Sequence, residues 1–291
     1  MGKRTILVGI LKKFVEKFLP VRYQLPLRYF YYQRTNKLDD EISYVSNLLK
    51  EKRRFLDIGA NIGIYSFHFK NSFKNIDAFE PLKEISYRLQ YFQNESVKVH
   101  NCALSNRKGK FQIYIPFLLG QPVPSLASLE KRNGDYKVRI VKVDKVDNYD
   151  FEDVDLIKID VEGHEEYVIE GARNLIKRNM PILIVEIEQR HIQKQIEEVF
   201  RSILKLNYSG FFLQSGNLTS LNEFNYDSHQ KLYLNNVTSK KYINNFIFQQ
   251  AIFQIVSPFD CCAGLVGHQC KPTFKDTFKG VGLQQLFKCI N

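Results

Sequence analysis

From residue 54 onward, short apolar runs alternate with stretches whose hydrophobic residues recur every three or four positions, which restricts the chain to few folds. Phe55 to Ile58 is the length of a buried strand, and Tyr65, Phe69 and Phe73 then fall on one helix face. Ile76 to Phe79 repeats the strand pattern and Leu82, Ile85, Leu89 and Phe92 the helical one, before Val97 to Cys102 alternates as a third strand. A βαβαβ succession of this kind builds a parallel sheet, because parallel neighbours need a crossover long enough to hold a helix. After residue 144 the pattern resumes with Leu156 to Ile159 as a strand and a helix through Val168, Leu175 and Ile176. The strand "PILIVEI" and a helix carrying Ile192, Ile196, Val199 and Ile203 follow, and strands at "GFFLQ" and "NNFIF" close the domain near residue 248.

Residues 111 to 144 interrupt the alternation, with "FQIYI" and "VRIVKV" as extra strands around the turn-rich loop "GQPVPSLASLE". An insertion at this point belongs near the carboxyl edge of the sheet, where open α/β sheets bind ligands.

A chain of 291 residues with 44% hydrophobic content buries a full core, so wholesale disorder is excluded. Its net charge of +11 suggests nucleic acid until it is mapped: residues 1 to 54 hold 13 Lys and Arg against 5 Asp and Glu. The surplus therefore lies mostly outside the alternating region, and a basic arm attracts phosphates, anionic lipid or an acidic glycan carrier alike. Within it, Ile6, Leu7, Ile10, Leu11, Phe14, Phe18 and Leu19 recur at helical spacing, interrupted by Lys12, Lys13 and Lys17. That stretch is too broken to span a bilayer and unlike a signal peptide, so it is expected as a helix packed on the main domain or lying on a membrane surface, in a cytoplasmic protein.

Cysteine usage fits that compartment: Cys102 stands alone, while Cys261, Cys262, Cys270 and Cys289 cluster near the end without paired spacing. Adjacent cysteines in "CCAGLVGHQC" are poor tetrahedral ligands, so no metal is expected there. The sequence thus divides into a basic amphipathic extension (1–44), an α/β domain (45–248) and a tail without sustained periodicity (249–291).

The loop after the first strand, "DIGANIG", resolves by elimination. A phosphate-binding P-loop needs Lys and a hydroxyl after its last glycine, and Gly63 is followed by Ile64 and Tyr65. A dinucleotide loop needs G-x-G-x-x-G, whereas here Gly59, Asn61 and Gly63 follow in order. Asp57 at the strand end would repel a pyrophosphate and favour an ammonium or sulfonium group. Glu80, in "FEP" at the end of the second strand, is placed to accept both hydroxyls of a ribose. One acid for a cationic amino-acid portion and one for ribose describe S-adenosylmethionine; the structural alternative is that Asp57 caps the following turn and Glu80 is a solvated surface acid.

Together "FLDIGANIGIYS", "FEP", "NCALSN", "SLASLE", "DLIKIDVEGHEEYVIEGA", "PILIVEIE" and "YINNFIF" resemble the FkbM-type methyltransferases, a class I S-adenosylmethionine-dependent family, over about residues 45 to 248. The resemblance implies a Rossmann-like, seven-stranded, mostly parallel sheet with helices on both faces, and O-methylation of sugars or secondary metabolites. It implies that Asp57, Gly59, Ala60, Asn61 and Gly63 line the cofactor loop, that Glu80 holds the ribose, and that Asn101, Cys102 and Ala103 lie beside the adenine. The expected partner is a small-molecule or glycan acceptor, with peripheral membrane contact through the basic arm.

Methyl transfer to a hydroxyl needs a base near the acceptor and close positioning of both reactants. "KIDVEGHE" offers three candidates: Asp160 just past its strand, and Glu162 and His164 on the turn into the next helix. His164 titrates in the right range, although a solvent-facing first-turn residue is the plain alternative. Asp160 and Glu162 could instead close the turn and accept backbone hydrogen bonds. Glu186, ending the next strand, could face the same crevice. A nucleic-acid methyltransferase is the competing enzyme class, weakened by the position of the basic surplus and by the lack of an Asn/Asp-Pro-Pro-aromatic motif after Ile159. A catalytically idle protein retaining the fold is the other alternative.

Overall fold

The computed structural model describes residues 19–251, a mixed α/β fold around one large sheet. The helix expected at residues 6 to 19 falls almost wholly outside the described residues, as do Cys261, Cys262, Cys270 and Cys289. Strands β1 (Arg54–Ile58), β2 (Asn75–Phe79) and β3 (Val97–His100) are followed by β4 (Ala103–Leu104), β5 (Gly109–Leu118), β6 (Gln121–Pro122) and β7 (Tyr136–Asp144). Then come β8 (Val154–Ile159), β9 (Ile182–Glu186), β10 (Tyr208–Gln214), β11 (Asn217–Ser220) and β12 (Asn245–Gln250). The helices are α1 (Val21–Arg34), α2 (Asp40–Leu48), α3 (Ile64–Phe69), α4 (Lys83–Leu89), α5 (Glu165–Gly171), α6 (Arg173–Asn179), α7 (Ile196–Leu204) and α8 (Tyr226–His229).

The large sheet runs β11-β10-β12-β9-β8-β1-β2-β3. Strands β9, β8, β1, β2 and β3 pair in parallel, while β12 is antiparallel to both β9 and β10. The expected count of seven strands is corrected to eight, because β10 continues through the Ser215-Gly216 turn into β11, a hairpin partner that periodicity did not mark. The insertion forms its own sheet, β4-β7-β5-β6, around the long β5/β7 hairpin.

Side chains alternate across the sheet, so each central strand feeds two cores. Phe55, Leu156 and Ile184 face Ile42 and Val45 of α2 and Tyr65 and Phe69 of α3. Leu56, Ile58, Ile157, Ile159, Leu183 and Val185 face α5, α6 and α7, whose Val168, Leu175, Ile176, Val199 and Ile203 complete the larger cluster. Each such burial contributes about 1.5–3 kcal/mol. Helix α7 starts at Ile196, so Ile192 precedes it. The single helix expected through Val168 and Ile176 is two, α5 and α6, meeting at Ala172. Gly171 allows the crossing there: a Cβ on it would lie 1.9 Å from the Ser105 carbonyl oxygen.

Candidate active site at the carboxyl ends of β1, β2 and β8

The loop after β1 is closed by backbone. The Gly59 and Ala60 N–H groups both donate to the Phe79 carbonyl, each at 3.0 Å, and the Asp160 N–H donates to the Ile58 carbonyl at 2.9 Å. Gly59 has φ +79, and a Cβ on it would sit 1.8 Å from the Asp160 carbonyl oxygen. Glycine is required there on both counts. Beside this contact opens a cleft of about 600 Å³, its mouth included, lined from one side by Gly59, Asn61, Glu80, Cys102, Ala103 and Asp160. The opposite wall is built by the insertion, through Ile113, Pro124, Ser125 and Leu129. The expected strands and loop at residues 111 to 144 thus do reach the ligand edge, but no local signal tells which of their apolar side chains turn inward.

Glu80 is 5% exposed, which removes the surface-acid alternative. Its carboxylate accepts the Asn61 N–H at 3.1 Å and the Leu82 N–H at 2.8 Å, one on each oxygen. Burial nevertheless pushes its pKa up to about 7, the two backbone donors offsetting only part of the desolvation. Each oxygen keeps a lone pair for a hydroxyl.

Asp57 does not line the cleft, and its expected contact with a cationic group is corrected. Strand alternation turns it to the α3 face with Phe55, where it accepts the Ser66 N–H at 3.1 Å and the Ser66 hydroxyl at 2.5 Å. It therefore ties the loop to the following helix, and burial raises its pKa to about 6. Ala60 and Gly63 also stay behind the cleft surface. Gly63, at φ +86, starts α3 and faces Leu89 and Leu25. Asn101 acts from outside, its amide donating to the Glu80 and Pro81 carbonyls at 3.0 and 2.9 Å.

The three catalytic candidates all line the cleft, with different freedom. His164 is corrected: it is neither solvent-facing nor a free base. Its Nδ1 lies 2.7 Å from Glu130 Oε1 and its Nε2 2.9 Å from the Ser105 hydroxyl, so both ring nitrogens are occupied. The imidazole thereby clasps the insertion to the α5 turn, and the hydrogen bond to it holds the Glu130 carboxyl below its usual range. Glu162, in a left-handed conformation (φ +58), also lines the cleft, with its Oε2 2.6 Å from His191 Nδ1. Asp160 is different: its side chain is 35% exposed, and its nearest charged neighbour is Lys158 Nζ at 3.6 Å.

Lys158 was not singled out from sequence, although a lysine inside the apolar run "LIKI" is an anomaly that could have flagged it. It is 2% exposed, and Asp160, Glu186, Asp39 and Asp57 raise its pKa against the desolvation that opposes them. Glu186 Oε2 stands 3.7 Å from the same ammonium.

Asp160, Glu162 and Glu80, one clasped imidazole and no lysine or arginine line this cleft. Such a lining suits a cationic nucleoside and opposes a pyrophosphate. A model of the methyltransferase FkbM domain matches residues 57–210, more than half of the chain, and the protein belongs to that family.

No curated protein matches the sequence significantly. Among solved structures, a methyltransferase FkbM from Methylobacillus flagellatus is 18% identical, covering 70% of this chain and 45% of its own, with a TM-score of 0.45. The chain thus spans less than half of that protein's length. An O-methyltransferase from Bacillus cereus, solved in complex with SAH, is 11% identical over 82% of this chain and 96% of its own (TM-score 0.42). A putative O-methyltransferase from Klebsiella pneumoniae is 9% identical over 83% and 96% (TM-score 0.40). Among the described residues no helix is long and apolar enough to cross a membrane.

Proposed function

We propose that the protein transfers a methyl group to a hydroxyl of a sugar, glycan or secondary metabolite, with Asp160 receiving the hydroxyl proton. The observation that carries this reading is the lining of the cleft, where buried Glu80 and half-open Asp160 stand at two strand ends and no lysine or arginine reaches the cleft surface, Lys158 lying buried behind Asp160. We read the large sheet as the seven-stranded, Rossmann-like form with β11 added at its edge.

In this reading the Gly59 to Asn61 backbone and Glu80 hold S-adenosylmethionine, Glu80 through the ribose hydroxyls, with Cys102, Ala103 and Ile113 walling the base. The bound donor supplies an electrophilic methyl on a sulfonium. Asp160 orients the acceptor hydroxyl and takes its proton, a role worth about 10²–10⁴ in rate. Lys158 Nζ, 3.6 Å away, anchors that carboxylate, and the insertion excludes water. Calorimetric titration with S-adenosylmethionine and, separately, NAD tests the donor half. Selective binding of the first, lost in Glu80→Ala, is the expected result, and no binding to folded protein would overturn it.

Peripheral membrane contact belongs to the same reading. Helix α1 exposes Tyr23, Leu27 and Phe30 and carries Arg22, Arg28 and Arg34 with no acidic residue. The full chain is expected to float with anionic vesicles and to lose flotation in Leu27→Glu/Phe30→Glu; equal flotation of the variant would refute a role for this face.

A further inference from the structure

The insertion hairpin, β5 paired with β7, is apolar on both of its faces. Directly opposed residues share a face, so Tyr114, Pro116 and Leu118 lie with Ile140, Val138 and Tyr136 on the side opposite Ile113 and Ile115. Ile113 and Ile115 pack with Val141, Val143 and Leu82, and Ile113 reaches the cleft. The outer side of an antiparallel pair covered on one face is ordinarily polar. Here Ile140 is 63% exposed, Leu118 61% and Val138 42%.

The end of the hairpin extends this face. Leu118 pairs with Gln121 across a two-residue turn of Leu119 and Gly120, at φ +52 and +72. A turn with both φ positive favours Asn-Gly, whose first residue tolerates the left-handed region and water alike. Leu119 is disfavoured there twice, by its backbone and by standing 88% exposed beside the exposed Phe117 and Leu118.

Pro116 and Tyr136, at the same end of the hairpin, also line a groove of about 1340 Å³, mouth included, against the turn after β9. Lys131, Arg132, Arg190 and His191 line it too, and no acidic residue does. The buried Glu188 accepts from Arg190 Nε and Nη2 at 2.6 and 3.0 Å, and Arg132 donates one N–H to the Glu162 carbonyl at 3.0 Å. Both guanidiniums keep further N–H groups for an incoming anion. Lys131 is exposed and pairs with no acid among the described residues.

We propose that this outer face docks on an anionic lipid surface, the Phe117–Leu119 turn entering the acyl boundary while a lipid phosphate occupies the Lys131–Arg132–Arg190 groove. The inference goes beyond the α1 contact described above and stands whatever the acceptor of the methyl group is. Charge selects an anionic partner, and the apolar turn selects a lipid among anions. A nucleic acid would pair with the cations and leave three exposed apolar side chains in water, whereas an acyl layer buries them. From Pro116 at the groove to Leu119 is three residues, at most about 10 Å of strand, which matches the 5–10 Å or so that an interfacial apolar face sinks. Tyr114 and Tyr136 suit the headgroup level between the two, each with an apolar ring and a polar tip. With Ile113 on the reverse face, the docked hairpin would bring the cleft to the bilayer surface.

The chain contains no tryptophan, so Leu119→Trp reports on the turn alone. On vesicles of equal parts phosphatidylcholine and phosphatidylglycerol, its emission is expected to shift to the blue and to be quenched by lipids brominated along the acyl chain. Lys131→Ala should bind these vesicles about fivefold more weakly, and Leu118→Glu/Leu119→Glu should no longer float with them. Flotation needs both this face and α1, because a single weak contact gives only marginal membrane binding; the tryptophan signal is what assigns the turn. Unshifted emission of Leu119→Trp on vesicles that carry the chain would overturn the proposal, as would undiminished flotation of Leu118→Glu/Leu119→Glu or no flotation of the unmutated chain. Equal affinity of Lys131→Ala would overturn the assignment of the groove. Calorimetric binding of glycerol 1-phosphate without vesicle insertion would give the groove to a soluble phosphate, and a sedimenting dimer split by the double glutamate variant would give the face to a second copy; either result overturns lipid docking.

Discussion

Replacing Gly59 by alanine probes the close approach beside which the cleft opens. The new Cβ would lie 1.8 Å from the Asp160 carbonyl oxygen and 2.8 Å from its carbon, so one of the two backbones must retreat by well over an ångström. Retreat strains the bonds that lock the loop, from Gly59 and Ala60 to Phe79 and from Asp160 to Ile58. Losing two of these costs about 2 kcal/mol, and a non-glycine residue at φ +79 adds about 1–2 kcal/mol. The expected destabilisation is about 3–4 kcal/mol. Gly216 supplies the control, since it has a similar φ of +82 but nothing within 4 Å of its notional Cβ, so alanine there costs only the backbone part, about 1–2 kcal/mol. Urea unfolding of both variants gives the difference, and titration with S-adenosylmethionine should show lost affinity in Gly59→Ala alone. If the two variants unfold within about 0.5 kcal/mol of one another, the close approach of the β1 loop to Asp160 is refuted.

Asp160→Asn should lower turnover by about 10²–10⁴ while leaving donor affinity nearly intact; comparable loss of both would place Asp160 in donor binding instead. His164→Ala should cost stability by unpairing Glu130 and Ser105, yet turnover per folded molecule should fall far less than in Asp160→Asn, and a larger fall would restore the histidine as the base. Glu80 holds its proton to about pH 7 in the folded chain, against 4.5 for the free group, so stability should decline as pH rises through that window, by up to about 3 kcal/mol. Donor affinity should rise over the same window as the carboxylate ionises. Both slopes should flatten in Glu80→Gln, and unchanged titration curves would show that Glu80 is not the group responsible. Lys158→Met leaves Asp160 and Glu186 facing each other without a cation, for an expected loss of about 3–5 kcal/mol by thermal or urea unfolding, smaller at pH 5 than at pH 8.

The strands and helices of residues 54 to 204 were legible because period two and period 3.6 are local properties of the chain, read without knowing its neighbours. The order of Asp57, Gly59, Asn61 and Glu80 was legible too, and it excluded phosphate loops before any fold was seen. What sequence left open was direction. Asp57 alternates with Leu56 and Ile58 on paper, but only the packing of α3 against β1 tells that its face is the helix-covered one and that the cleft lies elsewhere. His164 reads as a free first-turn base until Glu130 and Ser105, 34 and 59 residues away, arrive at its two nitrogens. Lys158 looks misplaced within "LIKI" until strand pairing sets Asp160 and Glu186 around it. Residue type and spacing therefore determined the central parallel strands, the glycine-bearing loop after β1 and the acids at the strand ends. Tertiary structure decided which of those acids remain free to act, because a side chain's availability depends on partners that only folding brings within 3 or 4 Å.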